Sequence, residues 1–123
     1  ALGADPVPAL ARSAAAAADD DEALASWAQR VRASETRGQG GARSIRVKAL
    51  EGLPRAVRGR VLASFLRDAG VPGGSLGAGH VEAVDALVTA WRGQGPLSLP
   101  RVVVARSGRG ERAVIEAGPL RSQ

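Results

Sequence analysis

The strongest folding signal in the chain is the stretch from Leu53 to Gly70, which reads "LPRAVRGRVLASFLRDAG". Leu53-Pro54 is suited to open a helix, and Gly70 is suited to end it near Ala69. At about 100° per residue, one face of that helix collects the apolar side chains: Val57, Val61, Leu62, Phe65, Leu66 and Ala69. The chain has one Phe, two Trp and no Tyr, so a thin core must form largely around this face.

Arg58, Arg60 and Arg67 of this helix lie at different positions relative to its apolar face. Arg60 and Arg67 lie opposite the apolar face and are predicted to be exposed. Arg58 falls inside the apolar arc, where a guanidinium has to be paired or has to reach water along its own stem. Two interpretations stay open for Arg58: a structural ion pair or carbonyl hydrogen bond, and a phosphate contact in a groove.

A further helix is predicted from about Ala78 to Arg92, with a buried face of Val81, Val84, Leu87, Val88 and Trp91. Gly93 is well placed as the left-handed residue that ends this helix. His80 lies in the first turn, and as the only histidine it is interpreted as a packing or capping residue. The following "GQGPLSLP" is interpreted as a structural corner that leaves Arg92 at the rim, within reach of a phosphate.

Extended segments surround these helices. Ser44–Leu50 alternates apolar and basic residues, which predicts a short edge strand or an extended lead-in. Strand-like residues follow Gly95-Pro96, and residues 101–117 predict a β-hairpin around a polar turn. The predicted fold class is α+β, with a small domain of two helices and a short β-hairpin or small sheet over residues 44–123.

The N-terminal third predicts a long connecting helix. Asp5-Pro6 provides a start, and apolar residues, including Val7, Leu10 and Leu24, then recur at steps of three and four as far as residue 33. The acidic cluster at Asp19–Asp21 interrupts this seam, so two shorter helices are the alternative, and the cluster is interpreted as a solvated face. Residues 1–35 thus form a helical arm, and the Gly-rich residues 36–43 form a loop or linker.

The charge of the chain is unevenly distributed. Residues 1–35 hold six acidic and three basic residues, a net −3, and the remainder hold fourteen basic and six acidic residues, a net +8. A basic body favours a polyanionic partner such as nucleic acid, although GC-rich coding would also favour Arg, Ala and Gly. The candidate contacts are arginines on helix faces and turns: Arg55, Arg58, Arg60, Arg67, Arg92, Arg101, Arg106, Arg109 and Arg112.

The sequence carries no recognisable catalytic constellation. It has no Cys and one His, and the glycines near Gly77 do not complete a dinucleotide fingerprint because Glu82 occupies the third position. We therefore predict no catalytic residue, no cofactor-binding residue and no metal site in this segment. No apolar run approaches the length of about 20 residues that spans a bilayer, which predicts a cytoplasmic protein without a membrane partner. The absence of Met, with a start at Ala1, indicates a piece of a longer protein.

Three segments in order resemble one known family: "LPRAVRGRVLASFLRDAG" (53–70), His80 with "AVDALVTAWRGQGPLSLP" (83–100), and "VVVARSGRG" (102–110). Together they are similar to the substrate-binding middle domain of the tRNA(Ile)-lysidine synthetase family, and the resemblance covers nearly the whole chain. Two positions depart from the family pattern. A glycine pair usually follows the "LP", whereas Pro100 runs directly into Arg101, either in a tighter hairpin or because a few residues are absent. Gly77 replaces the usual helix-capping Thr or Ser.

The resemblance implies a function for the longer protein. Members of the family use ATP to attach lysine to the wobble cytidine of an isoleucine tRNA with a CAU anticodon, through an adenylylated base. ATP and Mg²⁺ would be bound by a catalytic domain whose Ser-Gly-Gly-x-Asp-Ser loop does not occur here. The chain would then grip tRNA and contact its own catalytic domain. The alternative is an interdomain or protein–protein scaffold that uses the N-terminal helix, and the oligomeric state stays open.

Overall fold

The structure, a computed structural model, describes residues 6–38 and 40–120, with side chains from residue 14 onward. A long N-terminal helix is followed by two short strands, three helices and three further strands. The helices are α1 (Pro6–Glu35), α2 (Val47–Glu51), α3 (Arg55–Ala69) and α4 (Ala78–Thr89), and the strands are β1 (Thr36–Arg37), β2 (Arg43–Arg46), β3 (Leu97–Leu99), β4 (Val102–Ser107) and β5 (Val114–Pro119). This arrangement confirms the predicted α+β class.

The strands form one antiparallel sheet in the order β1-β2-β5-β4-β3. The predicted hairpin is its centre, since β4 pairs with β5 from Val102–Pro119 to Ser107–Val114. Side chains alternate across a strand, and the inward set is fully buried against the helices. This set consists of Ile45, Leu99, Val102, Val104, Ile115 and Ala117.

The helix α3 lies over that sheet and supplies six of the buried apolar side chains of the core. Its bounds and its predicted apolar face are confirmed, because all six predicted side chains are buried. The helix ends at Gly70, whose φ of 121° suits glycine. The amide of the next residue, Val71, donates to the carbonyl of Leu66 at 3.0 Å, which closes the Schellman pattern at the helix end.

The helix α4 begins at Ala78 as predicted but ends at Thr89, three residues earlier than expected. The prediction that Trp91 is buried is wrong, because its side chain is 41% exposed. Two side chains donate hydrogen bonds to backbone carbonyls that would accept from backbone amides if the helix were longer. Arg106 Nη1 donates to Leu87 O at 2.9 Å, and Gln94 Nε2 donates to Ala90 O at 3.3 Å. Gly93 is in the left-handed region (φ 84°), beyond the helix end.

The segment from Ser44 to Leu50 divides between two elements. Its first residues belong to β2, which pairs with both β1 and β5 and is therefore not an edge strand. Val47 instead starts the short helix α2, and its amide donates to Ala113 O at 2.9 Å. Alternation alone could not place this boundary, because it continues the strand through Val47, whereas Val47 and Leu50 are buried as part of α2.

The helix α1 is continuous over 30 residues, so the single-helix alternative is the observed one. Its C-terminal half packs on α3 through the buried Ala28, with Leu24 and Val31 partly buried beside it. Arg32 Nη1 lies 2.7 Å from Asp68 Oδ2, and Asp21 forms an ion pair with Arg60. The predicted cap at Asp5 and the predicted contacts of the Val7 and Leu10 side chains lie outside the described part of the chain.

Two glycine-containing corners that share the letters "RGQG" have different structures. In the first, between β1 and β2, Gly38 has a φ of 124°, and a Cβ there would lie 2.2 Å from Ala42 O. Only glycine fits this turn. The second follows α4 and carries Arg92. The left-handed Gly93 in this second corner agrees with its interpretation as a structural turn.

Candidate nucleic-acid interface

Seven of the nine predicted arginines fall at two opposite ends of the domain. We call one the arginine end; it holds Arg55, Arg92, Arg106, Arg109 and Arg112. It comprises the first turn of α3, the segment after α4 and the β4–β5 loop. Two contacts bring these elements close together. The helices α3 and α4 run antiparallel, so that Arg55 and Thr89 line one depression. Arg106, near the end of β4, donates a hydrogen bond to the last turn of α4.

The turn end lies at the other side of the sheet and holds Arg67 and Arg101. Arg67 is in the last turn of α3, just before Gly70, and a Cβ on Gly70 would lie 3.6 Å from Val102 at the start of β4. Arg101 precedes Val102 directly. The nine predicted arginines therefore do not form one patch, and the six residues of β4 separate the two ends.

Arg58 belongs to the structural framework. Its side chain is 11% exposed and forms an ion pair with Asp85 of α4, through Nε to Oδ1 and Nη2 to Oδ2 (3.4 Å). Its Nη1 donates to Leu53 O at 2.9 Å. All three nitrogens of the guanidinium are thus engaged, and the ion-pair interpretation of Arg58 is the one the geometry shows.

Arg60 and Arg67 line a depression between α3 and α1 together with Ala28. Arg60 is partly buried and pairs with Asp21 of α1, so its predicted exposure is wrong, and one acid of the N-terminal cluster contacts the basic body. Arg67 is exposed, as predicted. The adjacent residue, Asp68, pairs with Arg32 of α1.

The arginine end presents guanidinium groups to solvent. Arg55, Arg92, Arg109 and Arg112 are exposed, and none of them pairs with a carboxylate among residues 6–38 and 40–120. Glu111 is the acidic neighbour within the β4–β5 loop. Unpaired arginines on a rigid corner suit contacts with phosphate oxygens, because their charge is not already neutralised by the protein.

A tryptophan lies among these arginines. The Arg106 guanidinium lies 5.1 Å from the centroid of the Trp91 ring, within the range of a cation–π interaction. Gln94 fixes the same corner, since its Oε1 accepts from the Arg92 amide at 2.7 Å while its Nε2 donates to Ala90 O. The indole of Trp91 is therefore exposed on a backbone segment that Gln94 holds by two hydrogen bonds. Sequence reasoning missed it because the helical spacing put it on the apolar face.

The turn end has an unusual backbone. Leu99 pairs with Val102, so the β3–β4 connection contains only Pro100 and Arg101. Arg101 has a φ of 65°, the only positive value of a non-glycine residue in the described chain. A proline followed by a positive φ is typical of a type II turn, whose second position favours glycine.

His80 has a capping role, as predicted. Its Nδ1 accepts a hydrogen bond from the Gly77 amide at 3.1 Å. Gly77 itself has no side chain that could accept from the first turn of α4. Within the described ranges, no group of three or more His, Cys, Asp or Glu side chains could hold a metal ion. No described helix is both long enough and apolar enough to cross a membrane.

Two further arginines were not among the predicted contacts. Arg37 and Arg43 line a shallow depression of about 410 Å³ on the outer face of the sheet, together with Ser44, Ala105 and Glu116. The sequence alone did not predict this depression, because the pairing of β1 with β2, which brings Arg37 beside Ser44, was not visible in it.

Comparison with known proteins identifies the family. Residues 46–110 match the family model described as the TilS substrate binding domain. The chain belongs to this family. The matched residues run from the end of β2 into the β4–β5 loop and contain four of the five residues of the arginine end, since Arg112 lies beyond them. As a TilS substrate-binding domain, the chain includes the His80 cap, the Arg58–Asp85 pair and the exposed Trp91 within the matched region.

Curated relatives extend the match beyond the family model. A tRNA(Ile)-lysidine synthase of Streptomyces coelicolor is 47% identical over 96% of this chain and 32% of the relative. Proteins of the same name from Thermobifida fusca and Mycobacterium leprae are 44% and 38% identical over 88% and 92% of this chain. The chain spans about a third of the length of these relatives. No solved structure matches it.

Proposed function

We propose that this chain is the tRNA-binding, non-catalytic part of a tRNA(Ile)-lysidine synthase. The observation that carries the proposal is the arginine end, where three elements of a TilS substrate-binding domain hold exposed guanidinium groups that pair with no carboxylate in the described part of the chain. Phosphate contacts of this kind position a protein on RNA without reading its sequence. The names of the relatives support tRNA as the polyanion.

The full-length enzyme would be an ATP-dependent ligase that joins lysine to the wobble cytidine of an isoleucine tRNA with a CAU anticodon, by forming a C–N bond. ATP and Mg²⁺ would be bound in its catalytic domain, outside this segment. In this chain, Arg55, Arg92, Arg109 and Arg112 would hold phosphates. Arg106 would support that surface through its bond to Leu87 and its contact with Trp91.

The salt dependence of binding tests the proposal. We expect the affinity of the 123-residue chain for a transcript of this tRNA to fall steeply with salt, because each phosphate contact contributes about −0.9 to the log–log slope on duplex regions. The double variant Arg92→Ala/Arg109→Ala should reduce that slope by about 2. Filter binding or fluorescence anisotropy over a series of salt concentrations measures both quantities.

The matched control is Arg67→Ala/Arg101→Ala, which removes the same charge from the turn end. It should leave the slope nearly unchanged. Equal losses in the two variants would contradict the assignment of the interface to the arginine end. An affinity that does not depend on salt, or no binding of tRNA at all, would contradict the proposed function itself.

A scaffold function of α1 is the second candidate, and one observation favours it. Trp27 is 39% exposed, beside Leu24 and Asp20 on a shallow depression of α1. The same helix already uses Ala28 and Val31 to pack on its own domain. Sedimentation of the chain as a dimer that Trp27→Ala dissociates would support this candidate, and a monomer would contradict self-association through α1.

A further inference from the structure

We propose that Trp91 is a stacking platform for an unpaired base of the bound RNA. This inference rests on the proposed function and adds a contact of a different chemical kind. Trp91 is 41% exposed at the arginine end, although tryptophan residues are highly buried on average. Aromatic rings stack on any unstacked base because every base has a π-face.

The surroundings of Trp91 hold it ready for such a contact. Arg106 lies against the ring, with 5.1 Å between its guanidinium carbon and the ring centroid. Arg106 is itself fixed by its hydrogen bond to Leu87 O in the last turn of α4. Gln94 bonds to the backbone on both sides of Trp91, at Ala90 and at Arg92. The indole is thus supported before any ligand arrives, which lowers the entropic cost of binding.

The charge around Trp91 favours RNA over an apolar protein surface as its occupant. Arg92 is the next residue, and Arg109 and Arg112 follow β4 at the same end of the sheet. A base that leaves its stack brings its own phosphates with it, and these would meet the unpaired guanidinium groups nearby. An apolar protein partner would instead have to cover those charges, which is costly without matching carboxylates.

Substitutions at Trp91 separate stacking from charge. Trp91→Ala should weaken binding of the tRNA transcript by about 5- to 140-fold, which corresponds to the loss of one stacked base. Trp91→Phe should restore most of the affinity, whereas Trp91→Leu, which keeps apolar bulk without a π-face, should not. None of these variants should change the salt slope, in contrast to Arg92→Ala, because the indole carries no charge. Circular dichroism and cooperative unfolding confirm that each variant is folded.

Simple RNA probes identify the source of the base. Three probes differ in the bases that they present. A blunt-ended duplex has paired bases only. The same duplex with a single-stranded 3′ extension adds an unpaired end, and a hairpin with an open loop adds an unpaired loop. Trp91→Ala should lose affinity for the extended duplex or for the hairpin, but not for the blunt duplex. In a Trp27→Phe background Trp91 is the only tryptophan, and its fluorescence should be quenched by the probe that supplies the base.

The results distinguish this inference from the function on which it rests. If wild-type protein binds the RNA with a steep salt slope, and Trp91→Ala binds as tightly as wild type, the stacking platform is wrong while tRNA binding stands. Unchanged Trp91 fluorescence on saturation with every probe also overturns it and would point to a protein partner at this corner. Absence of RNA binding by the wild type overturns both proposals.

Discussion

Arg101 occupies a backbone conformation that L-residues with a Cβ avoid. Its φ of 65° brings the Cβ close to the following carbonyl, and the two-residue β3–β4 turn leaves no alternative path for the chain. Its carbonyl also accepts from the Leu120 amide at 3.1 Å, which ties the end of β5 to this turn. The hydrogen bond from Leu120 and the pairing of Leu99 with Val102 hold Arg101 in this conformation.

Replacing Arg101 with glycine should stabilise the protein. We expect Arg101→Gly to raise the free energy of unfolding by about 0.5–1 kcal/mol, because relief of the left-handed strain exceeds the added entropy of the unfolded chain. Urea unfolding measures this difference. Arg101→Ala removes the guanidinium but keeps the strain and serves as the matched control. Equal stability of the Gly and Ala variants would show that the turn is unstrained.

The buried pair of Arg58 and Asp85 should respond in the opposite direction. Arg58→Ala leaves Asp85, which is 24% exposed, without its partner, and we expect a loss of about 3 kcal/mol in the free energy of unfolding. The double variant Arg58→Met/Asp85→Leu should recover much of this loss, since it removes both charges and fills the space. Chemical denaturation of the single and double variants provides the measurement.

The control for that experiment is Arg60→Ala, whose ion pair with Asp21 is largely exposed on the Asp21 side. We expect a loss below about 1 kcal/mol there. If Arg58→Ala were no more destabilising than Arg60→Ala, the pair with Asp85 would not be a structural element. The folded Met/Leu double variant should also keep the wild-type salt slope of tRNA binding, because Arg58 makes no phosphate contact in this arrangement.

At the level of the elements, the start of α4 has half of a capping box. His80 accepts from the Gly77 amide, but Gly77 offers no oxygen to the amides of the first turn. Its extended backbone (φ −101°, ψ 168°) is suitable for a serine cap. A Cβ there would be in ordinary contact with His80 Nδ1 at 3.9 Å, so a larger residue fits without rearrangement.

Completing this cap should stabilise α4. We expect Gly77→Ser to be more stable than Gly77→Ala by about 1 kcal/mol, because the two residues differ only in the hydroxyl that accepts from the helix amides. Thermal unfolding of the two variants measures the difference, which corresponds to a few degrees in Tm for a chain of this size. Indistinguishable melting temperatures would show that other contacts already satisfy the first turn of α4.

Element boundaries show where sequence reasoning reached its limit. The bounds of α3 were predictable, because its apolar period, its opening proline and its terminal glycine all agree. The end of α4 was not, since Arg106 and Gln94, distant or later residues, provide the hydrogen bonds that stop it after Thr89. Trp91 matches the helical period of α4 in the sequence but lies beyond the end of that helix in the structure. Its indole is exposed for this reason.

For the whole molecule, the sequence predicted the fold class and the basic character of the body but not the grouping of the arginines. Pairing of β5 with both β2 and β4 decides which turns share an end of the sheet, and residue spacing contains no information on that order. The contacts of Arg58 with Asp85 and of Arg60 with Asp21 join residues far apart in the chain. The candidate site could therefore be identified only once the sheet topology had shown which of the nine arginines lie at the same end.

The order of the sheet also bears on how the domain behaves at high concentration. Its two outer strands, β1 and β3, have two and three residues, and Pro96 and Pro100 flank β3 without an amide to donate. Few free backbone groups are thus available to recruit a strand from another molecule. Copies crowded on neighbouring RNA molecules should consequently stay dispersed, and the domain resists the edge-to-edge aggregation that longer exposed strands invite.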